Sequence, residues 1–261
     1  MSIGISKPAS LSESVRAAAL LAKYKLLGGL KVFWPWEGRF RYHEQVTWWR
    51  DRSWAAPYRR FLQGDAVFGR DENRILDRRF FAIQTALSVA DLPGSTAECG
   101  VRRGTGSALI CQALRETYGS EQRHFAFDSF EGLPAPEEAD RMKNGRHKWK
   151  KGKLRTELEI ARDLLAEFPF CQVVKGWIPE TLAVAADYRF RFVHIDVDLH
   201  RPTWDSLAFF YPRMAAGGIF LLDDHGFANC PGARQAAEAF FAHKPERIVE
   251  VPTGQALVVK R

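Results

Sequence analysis

Acidic and histidine residues alternate with apolar ones in the segment 193–200, which reads Val-His-Ile-Asp-Val-Asp-Leu-His. Successive side chains of a strand point to opposite faces. While a strand persists through this segment, one face therefore carries His194, Asp196, Asp198 and His200. A second apolar run, 220–222, is followed at once by two acids and a histidine, at Asp223, Asp224 and His225.

Several carboxylates that converge on one edge of a sheet repel one another unless a cation or hydrogen bonds compensate. A hard divalent cation such as Mg²⁺ takes oxygen ligands and is the simplest compensation. The two clusters therefore predict a metal site. The alternative is that these acids are solvated or cap the helices that follow them.

Three glycines, Gly100, Gly104 and Gly106, follow a short apolar run with the spacing G-x-x-x-G-x-G. Glycines permit a tight turn from strand to helix and a close backbone approach to a ligand, and a helix start offers unpaired N–H groups. The spacing differs from the G-x-G-x-x-G of dinucleotide enzymes, so it does not predict a pyrophosphate. Glu98, just before the first glycine, suits a cationic or amine-bearing ligand. Alternatively, the loop is only a tight turn.

Asp128 ends a further apolar run, 125–127, and precedes Ser129. A carboxylate at the end of the second strand can accept hydrogen bonds from the two hydroxyls of a ribose. An N-cap for the following turn is the competing interpretation. The glycine loop upstream favours the ribose.

Strand-like and helix-like segments alternate from about residue 70 onward. This order predicts a doubly wound, mostly parallel, Rossmann-like α/β sheet, with its ligand site at the carboxyl ends of the strands. The predicted strands are 97–99, 125–127, 172–175, 191–196 and 218–222, with a terminal hairpin at 247–251 and 256–260. The predicted helices are 75–89, 108–118, 153–168, 204–214 and 232–243.

These motifs, in this order, resemble the macrocin O-methyltransferase family of metal-dependent, S-adenosylmethionine-dependent enzymes. The resemblance covers about residues 74–243. It is carried by Arg79-Phe80-Phe81, Ala97 to Gly104, Asp128 to Pro134, Lys175-Gly176-Trp177, His194 to Leu199, Phe210 to Arg213, Gly217-Gly218, Asp223-Asp224 and Gly232 to Ala236.

The resemblance implies methyl transfer from S-adenosylmethionine to a hydroxyl of a sugar or natural product. It implies that the segment from Glu98 to Gly106 holds the methionine part of the cofactor. Asp128, with Ser129, would hold the ribose, and Gly176 and Trp177 would lie near the adenine. The implied Mg²⁺ ligands are Asp196, Asp223 and Asp224, and Asp198 could take the place of Asp196.

Methyl transfer to oxygen also needs a group that removes the proton of the acceptor. Asp196 is one candidate for the catalytic machinery. His200 and His225 adjoin the acids, and His147 lies in a loop expected to cover the substrate. Family members also place a histidine in this loop, and on that resemblance the base is assigned to His147.

The loop that contains His147 is strongly basic. Residues 141–155 hold eight basic residues in fifteen and no acid. Such a run is a solvated or mobile segment, or it closes over the site and holds an anionic acceptor such as a nucleotide-linked sugar. The expected small-molecule acceptor is therefore glycosylated or anionic.

The excess positive charge of the chain lies entirely in residues 1–70. That segment has 12 Lys plus Arg against 5 Asp plus Glu, and the remaining residues hold 26 of each. It also contains five of the eight tryptophans. We therefore divide the chain into a helical extension, 1–70, with a helix over about 11–27, and a catalytic domain, 71–261. The extension packs on the main domain or in a homo-oligomer, and membrane contact or nucleic-acid binding is less favoured.

The length of 261 residues, with 46% hydrophobic and 26% charged residues, suits an ordinary globular protein. The four widely spaced cysteines predict reduced thiols in a cytoplasmic protein.

Two other functions compete with methyl transfer. One is an iron oxygenase that uses His194, Asp196 and a later histidine, and the other is a non-catalytic binding module that uses the basic N-terminal surface.

Overall fold

The computed structural model describes residues 61, 72–119 and 122–261. These residues belong to the second of two units into which the chain divides, residues 55–261. The predicted helix over 11–27, and the predicted boundary near residue 70, lie outside the described residues and stay predictions. In the described part, no helix is long and apolar enough to cross a membrane.

The described strands form a seven-stranded sheet in the order β3-β2-β1-β4-β5-β7-β6. Strands β1 to β5 pair in parallel, and β7 runs antiparallel to both β5 and β6. The prediction of a doubly wound, mostly parallel sheet with a terminal hairpin is confirmed. The strands are β1 (Ser95–Cys99), β2 (His124–Asp128), β3 (Cys171–Lys175), β4 (Phe190–Ile195), β5 (Met214–Leu222), β6 (Val249–Glu250) and β7 (Ala256–Val259).

Helices cover both faces of this sheet. They are α1 (Glu72–Ser88), α2 (Thr105–Tyr118), α3 (Leu158–Leu165), α4 (His200–Phe210) and α5 (Pro231–Phe241). Short 3₁₀ turns lie at Glu138–Asp140, Glu180–Ala185 and Tyr211–Arg213. Because side chains alternate along a strand, Phe192 packs with α1 and α2 on one face while Val193 packs with α4 and α5 on the other.

Helix α3 begins five residues later than the sequence pattern predicts. The N–H of Leu133 donates to the carbonyl of Lys153, and the N–H of Gly152 donates back to the carbonyl of Leu133. Leu154 has a φ of 68°, which lies outside the helical region. Tertiary hydrogen bonds therefore hold the start of the predicted helix as a loop.

Candidate active site

An open cleft of about 1170 Å³ lies at the carboxyl ends of the parallel strands. Its walls are the loops that follow β1, β2, β3, β4 and β5, as expected for a doubly wound sheet. The sequence-predicted residues that line it are Glu98, Gly100, Asp128, Ser129, Gly176, Trp177, Asp196 and Asp224. Gly104, Gly106, Asp223 and His147 do not line it.

Gly100 forms the turn where β1 enters the cleft. Its φ is 90°, and a Cβ at this position would overlap the backbone carbonyl of Asp196. Only glycine allows the loop after β1 to lie this close to the loop after β4. Gly106 has a different role, because a Cβ there would overlap the carboxylate of Glu98. Because Gly106 has no side chain, the first turn of helix α2 can pack directly against Glu98.

The Glu98 carboxylate is almost completely buried, with 1% of its surface exposed. Its Oε1 lies 2.9 Å from Nδ1 of His194, and its Oε2 accepts a 2.5 Å hydrogen bond from the Ser107 hydroxyl. Burial by itself would raise the pKa of Glu98, but the hydrogen bond and charge of His194 outweigh it and hold the pKa below its ordinary value. Glu98 is therefore a carboxylate at neutral pH, which suits a cationic ligand.

Asp128 accepts hydrogen bonds from two backbone N–H groups and also lines the cleft. Its Oδ2 accepts the N–H of Arg102 at 2.7 Å, and its Oδ1 accepts the N–H of Phe130 at 2.6 Å. Each oxygen keeps a second lone pair, and the residue lines the cleft. Burial raises the pKa of Asp128, and the two N–H groups offset only part of that rise.

Ser129 and Gly176 shape the walls beside Asp128. The Ser129 hydroxyl donates to the carbonyl of Gly132 at 2.9 Å, so it closes the loop after β2. The N–H of Gly176 donates to the carbonyl of Asp128 at 2.9 Å, which joins the ends of β2 and β3. Trp177 follows on the same wall of the cleft.

Three carboxylates, those of Asp196, Asp198 and Asp224, also line the cleft. The alternation expected over 193–200 ends early, because β4 stops at Ile195 and Asp198 has a φ of 60°. The N–H of Asp198 donates to Oδ2 of Asp224 at 2.9 Å. Burial, followed by the charge of Asp196, raises the pKa of Asp224 to about 7. Burial and both neighbouring acids also raise the pKa of Asp198 well above its ordinary value.

Asp223 is buried and does not line the cleft. One of its carboxylate oxygens lies within 4.8 Å of a carboxylate oxygen of Asp196 and of a ring nitrogen of His194. Its Oδ1 lies 3.1 Å from Nε2 of His194 and accepts a 2.6 Å hydrogen bond from Gln255. Its Oδ2 contacts the guanidinium of Arg78. Of the three acids that the family resemblance implies as metal ligands, the structure therefore brings two to the cleft, with Asp198 in addition.

The cleft acids offer the hard oxygen donors that Mg²⁺ prefers. Oxygens of Asp198 and Asp224 lie within 4.8 Å of each other and of the Cys230 sulfur. Burial raises the pKa of the Cys230 thiol, so the sulfur stays protonated and is a poor ligand. A divalent cation would offset the mutual repulsion that raises the pKa values of these neighbouring acids. The donor set therefore fits Mg²⁺.

The three histidines considered as bases do not line the cleft. His147 forms a backbone bridge with Arg141. His200 begins α4, and its Nδ1 lies 3.9 Å from Glu137, while Nε2 of the buried His225 lies 3.6 Å from Glu250. In this structure the candidate proton acceptors within the cleft are therefore the acids.

Part of the basic segment 141–155 forms a wall of the cleft. Lys148, Trp149, Lys153, Leu154 and Arg155 line the cleft, whereas Lys150 and Lys151 do not. The Trp149 indole N–H lies 3.4 Å from the Cys230 sulfur, which in turn lies 3.5 Å from Asp198. The segment 141–155 is therefore connected through Cys230 to Asp198 in the cleft.

Comparison with known proteins identifies the family. The macrocin-O-methyltransferase (TylF) family matches residues 71–251, a range that contains every loop of the cleft. The chain belongs to this family. The TylF assignment confirms the resemblance that the sequence motifs carry.

Two relatives of this TylF-family chain come from Streptomyces. The demethyldecarbamoylnovobiocin O-methyltransferase of Streptomyces niveus is 30% identical over 58% of this chain and 60% of its own length. A 4'-O-methyltransferase of Streptomyces olivaceus, which acts on a rhamnosyl-tetracenomycin C, is 30% identical over 60% of this chain and 62% of its own length. The chain thus spans about three fifths of the length of these relatives.

A solved structure shares the fold. The calicheamicin methyltransferase CalS11 superposes with a TM-score of 0.61 at 21% sequence identity, over 78% of this chain and 91% of CalS11. The similarity supports the Rossmann-like arrangement of the TylF-family domain.

Proposed function

We propose that this protein transfers a methyl group from S-adenosylmethionine to a hydroxyl of a sugar or a sugar-bearing natural product. The observation that carries the proposal is that two kinds of site share one cleft. Glu98, Gly100 and Asp128 line the same cleft as the acids Asp196, Asp198 and Asp224, and Gly100 lies directly against the backbone of Asp196. The names of the Streptomyces relatives support a glycosylated acceptor.

Four residues of the cleft suit the chemical groups of S-adenosylmethionine: Glu98, Gly100, Asp128 and Trp177. When bound, S-adenosylmethionine supplies an electrophilic methyl group. Glu98 stays ionised and would pair with the cofactor amine. Asp128 has free lone pairs for the ribose hydroxyls. Gly100 lets the backbone approach the ligand, and Trp177 offers an aromatic surface for the adenine.

The acids of the cleft, Asp196, Asp198 and Asp224, would orient the acceptor hydroxyl and take its proton. Asp196, Asp198 and Asp224 would hold Mg²⁺. Asp223 contacts His194, Gln255 and Arg78, and one of its oxygens also lies within 4.8 Å of an Asp196 oxygen. A bound Mg²⁺ would act as a Lewis acid on the acceptor oxygen. Asp196 is the most accessible of the three acids and is the proposed proton acceptor. His147 would serve as the base only if its loop moved toward the cleft.

An iron oxygenase is less favoured. Its ligand set would need a ring nitrogen of His194, yet both nitrogens face carboxylate oxygens of Glu98 and Asp223. The later histidine candidates, His225 and His243, do not line the cleft. The histidine pattern therefore serves internal hydrogen bonding in this fold.

The test combines binding with turnover. Calorimetry should show that S-adenosylhomocysteine binds the full chain, and labelled S-adenosylmethionine should transfer its methyl group to members of a panel of rhamnosylated natural products and nucleotide-linked sugars. Mass spectrometry of the products locates the methylated hydroxyl. Absence of S-adenosylhomocysteine binding would overturn the proposal.

A further inference from the structure

A continuous chain of buried polar side chains runs beneath the floor of the cleft. Its members are less than 2% exposed. The ring nitrogens of His124 lie 2.8 Å from the Thr96 hydroxyl and 2.9 Å from the Ser107 hydroxyl. Ser107 continues to Glu98, then to His194, Asp223 and Gln255. We call these seven residues the buried polar chain: Thr96, His124, Ser107, Glu98, His194, Asp223 and Gln255.

His194 is the central member of the buried polar chain and the one that lies between two acids. Its Nδ1 lies 2.9 Å from Glu98, and its Nε2 lies 3.1 Å from Asp223. Each ring nitrogen thus lies within hydrogen-bond distance of one carboxylate oxygen, so the ring bridges the two acids. A buried carboxylate without donors is strongly unfavourable, so the ring fixes the rotamer of each acid that it contacts.

The two acids depend on His194 to different degrees. In the described part of the chain, Asp223 also contacts Gln255 and Arg78. Glu98 has one other hydrogen-bond donor, the Ser107 hydroxyl on Oε2. Loss of the Nδ1 donor therefore leaves Oε1 of Glu98 held only by its packing against Gly106 and by the charge of Arg79. Loss of the Nε2 donor leaves Asp223 held from two sides.

We propose that His194 is a positioning residue for the cofactor: braced by Asp223, it aims the Glu98 carboxylate at the amine of S-adenosylmethionine. The inference rests on the proposed function, because it assigns the cofactor amine to Glu98. His194 does not itself touch the cofactor. It acts from beneath the floor through the orientation of Glu98.

Two substitutions separate this role from general support of the core. His194→Asn keeps an amide donor near the position of Nδ1, toward Glu98. His194→Gln keeps one near the position of Nε2, toward Asp223. Calorimetric titration of each full-length variant with S-adenosylhomocysteine should give a Kd within about threefold of wild type for His194→Asn, and a Kd raised about tenfold or more for His194→Gln.

The inference requires a lower Kd for S-adenosylhomocysteine in His194→Asn than in His194→Gln. Equal weakening of both, or wild-type affinity in both, would overturn it, since a purely structural histidine would not discriminate between the two donor positions. Failure of the wild-type chain to bind S-adenosylhomocysteine would instead overturn the proposed function. The two failures are therefore distinguishable.

A third variant keeps the inference testable if the His194 variants do not fold. Ser107→Ala removes the other donor to Glu98 and leaves His194 in place. It should raise the Kd for S-adenosylhomocysteine about fivefold, because Oε2 of Glu98 loses its restraint. Wild-type affinity in Ser107→Ala would show that the donors of Glu98 do not control cofactor binding.

Discussion

The buried acids at the ends of β4 and β5 differ in what their oxygens contact. Asp224 faces the cleft, and one of its oxygens accepts the N–H of Asp198. Asp223 is the next residue in the chain, yet it turns toward His194 and Gln255. Adjacent acids in one sequence motif therefore have different surroundings, and of the two only Asp224 lines the cleft.

Substitution of Asp224 tests this division. Asp224→Asn removes a charged oxygen ligand and should lower the rate of methyl transfer by about 100-fold or more. Its Kd for S-adenosylhomocysteine should stay within about threefold of wild type, because Glu98 and Asp128 are intact. Radiometric turnover and calorimetry measure the two quantities. Asp163→Asn, at an exposed position in α3, is the control and should change neither.

Helix α2 is positioned by the contact of its first turn with Glu98. Gly106 is buried, and a Cβ there would overlap the Glu98 carboxylate. A side chain at this position must displace either the helix or the acid, since interiors are close-packed. The glycine loop therefore positions Glu98, the residue proposed to bind the cofactor amine, through packing as well as through backbone freedom.

Gly106→Ala should raise the Kd for S-adenosylhomocysteine about tenfold or more, because the displaced Glu98 no longer faces the cofactor amine. Gly119→Ala is a matched control at the other end of α2. Its φ is 76°, but a Cβ there meets nothing within 4 Å. The control should cost about 1–3 kcal/mol of stability from backbone conformation and leave the Kd unchanged. Equal Kd values for the two variants would contradict this account.

The basic segment presents only some of its charges to the cleft. Lys148 and Lys153 line it, whereas Lys150 and Lys151 do not. If the acceptor carries a phosphate, the first pair should contribute to binding directly and the second pair only through long-range charge.

Two double variants of equal charge separate these contributions. Lys148→Ala with Lys153→Ala should raise the Kd for a nucleoside diphosphate probe about tenfold, and Lys150→Ala with Lys151→Ala should change it less than about twofold in 0.15 M salt. Calorimetry in the presence of S-adenosylhomocysteine measures both. A similar loss in the two variants would favour a solvated basic surface over a substrate wall.

The pH dependence of the stability of the whole domain should reflect the close approach of the cleft acids to one another. The pKa of Asp224 rises from an ordinary 3.8 to about 7 on folding. Between these values the folded state binds the proton more tightly than the unfolded state, so this group favours folding at low pH. Its contribution is present at pH 4 and disappears as the pH rises through 7.

Magnesium ions should therefore stabilise the chain more at pH 8 than at pH 5. At pH 8 the acids are charged and repel one another, while at pH 5 protons compete with the ion. Thermal unfolding with and without Mg²⁺ at the two pH values gives the comparison. A larger increase in Tm at pH 5 would argue against an ion held by these acids.

Periodicity and turn residues predict most of the architecture. The alternation of apolar runs with helical patterns gives the parallel sheet, and the residues that follow each run give most of the cleft. Helix α3 is the main departure, because Gly152 and Lys153 are hydrogen-bonded to Leu133 in the loop after β2. No local pattern carries such a long-range hydrogen bond.

By itself, the sequence determined the type of sheet, the end of the sheet where ligands bind, and the acids and glycines available there, because strand alternation and glycine conformation are local properties. Only the tertiary structure decided that Asp198 enters the cleft while Asp223 and His194 lie beneath it. Their partners, Glu98, Gln255 and Arg78, come from three distant parts of the chain. The direction of a buried polar side chain is set by the donors that packing brings to it, and those donors are distant in the sequence.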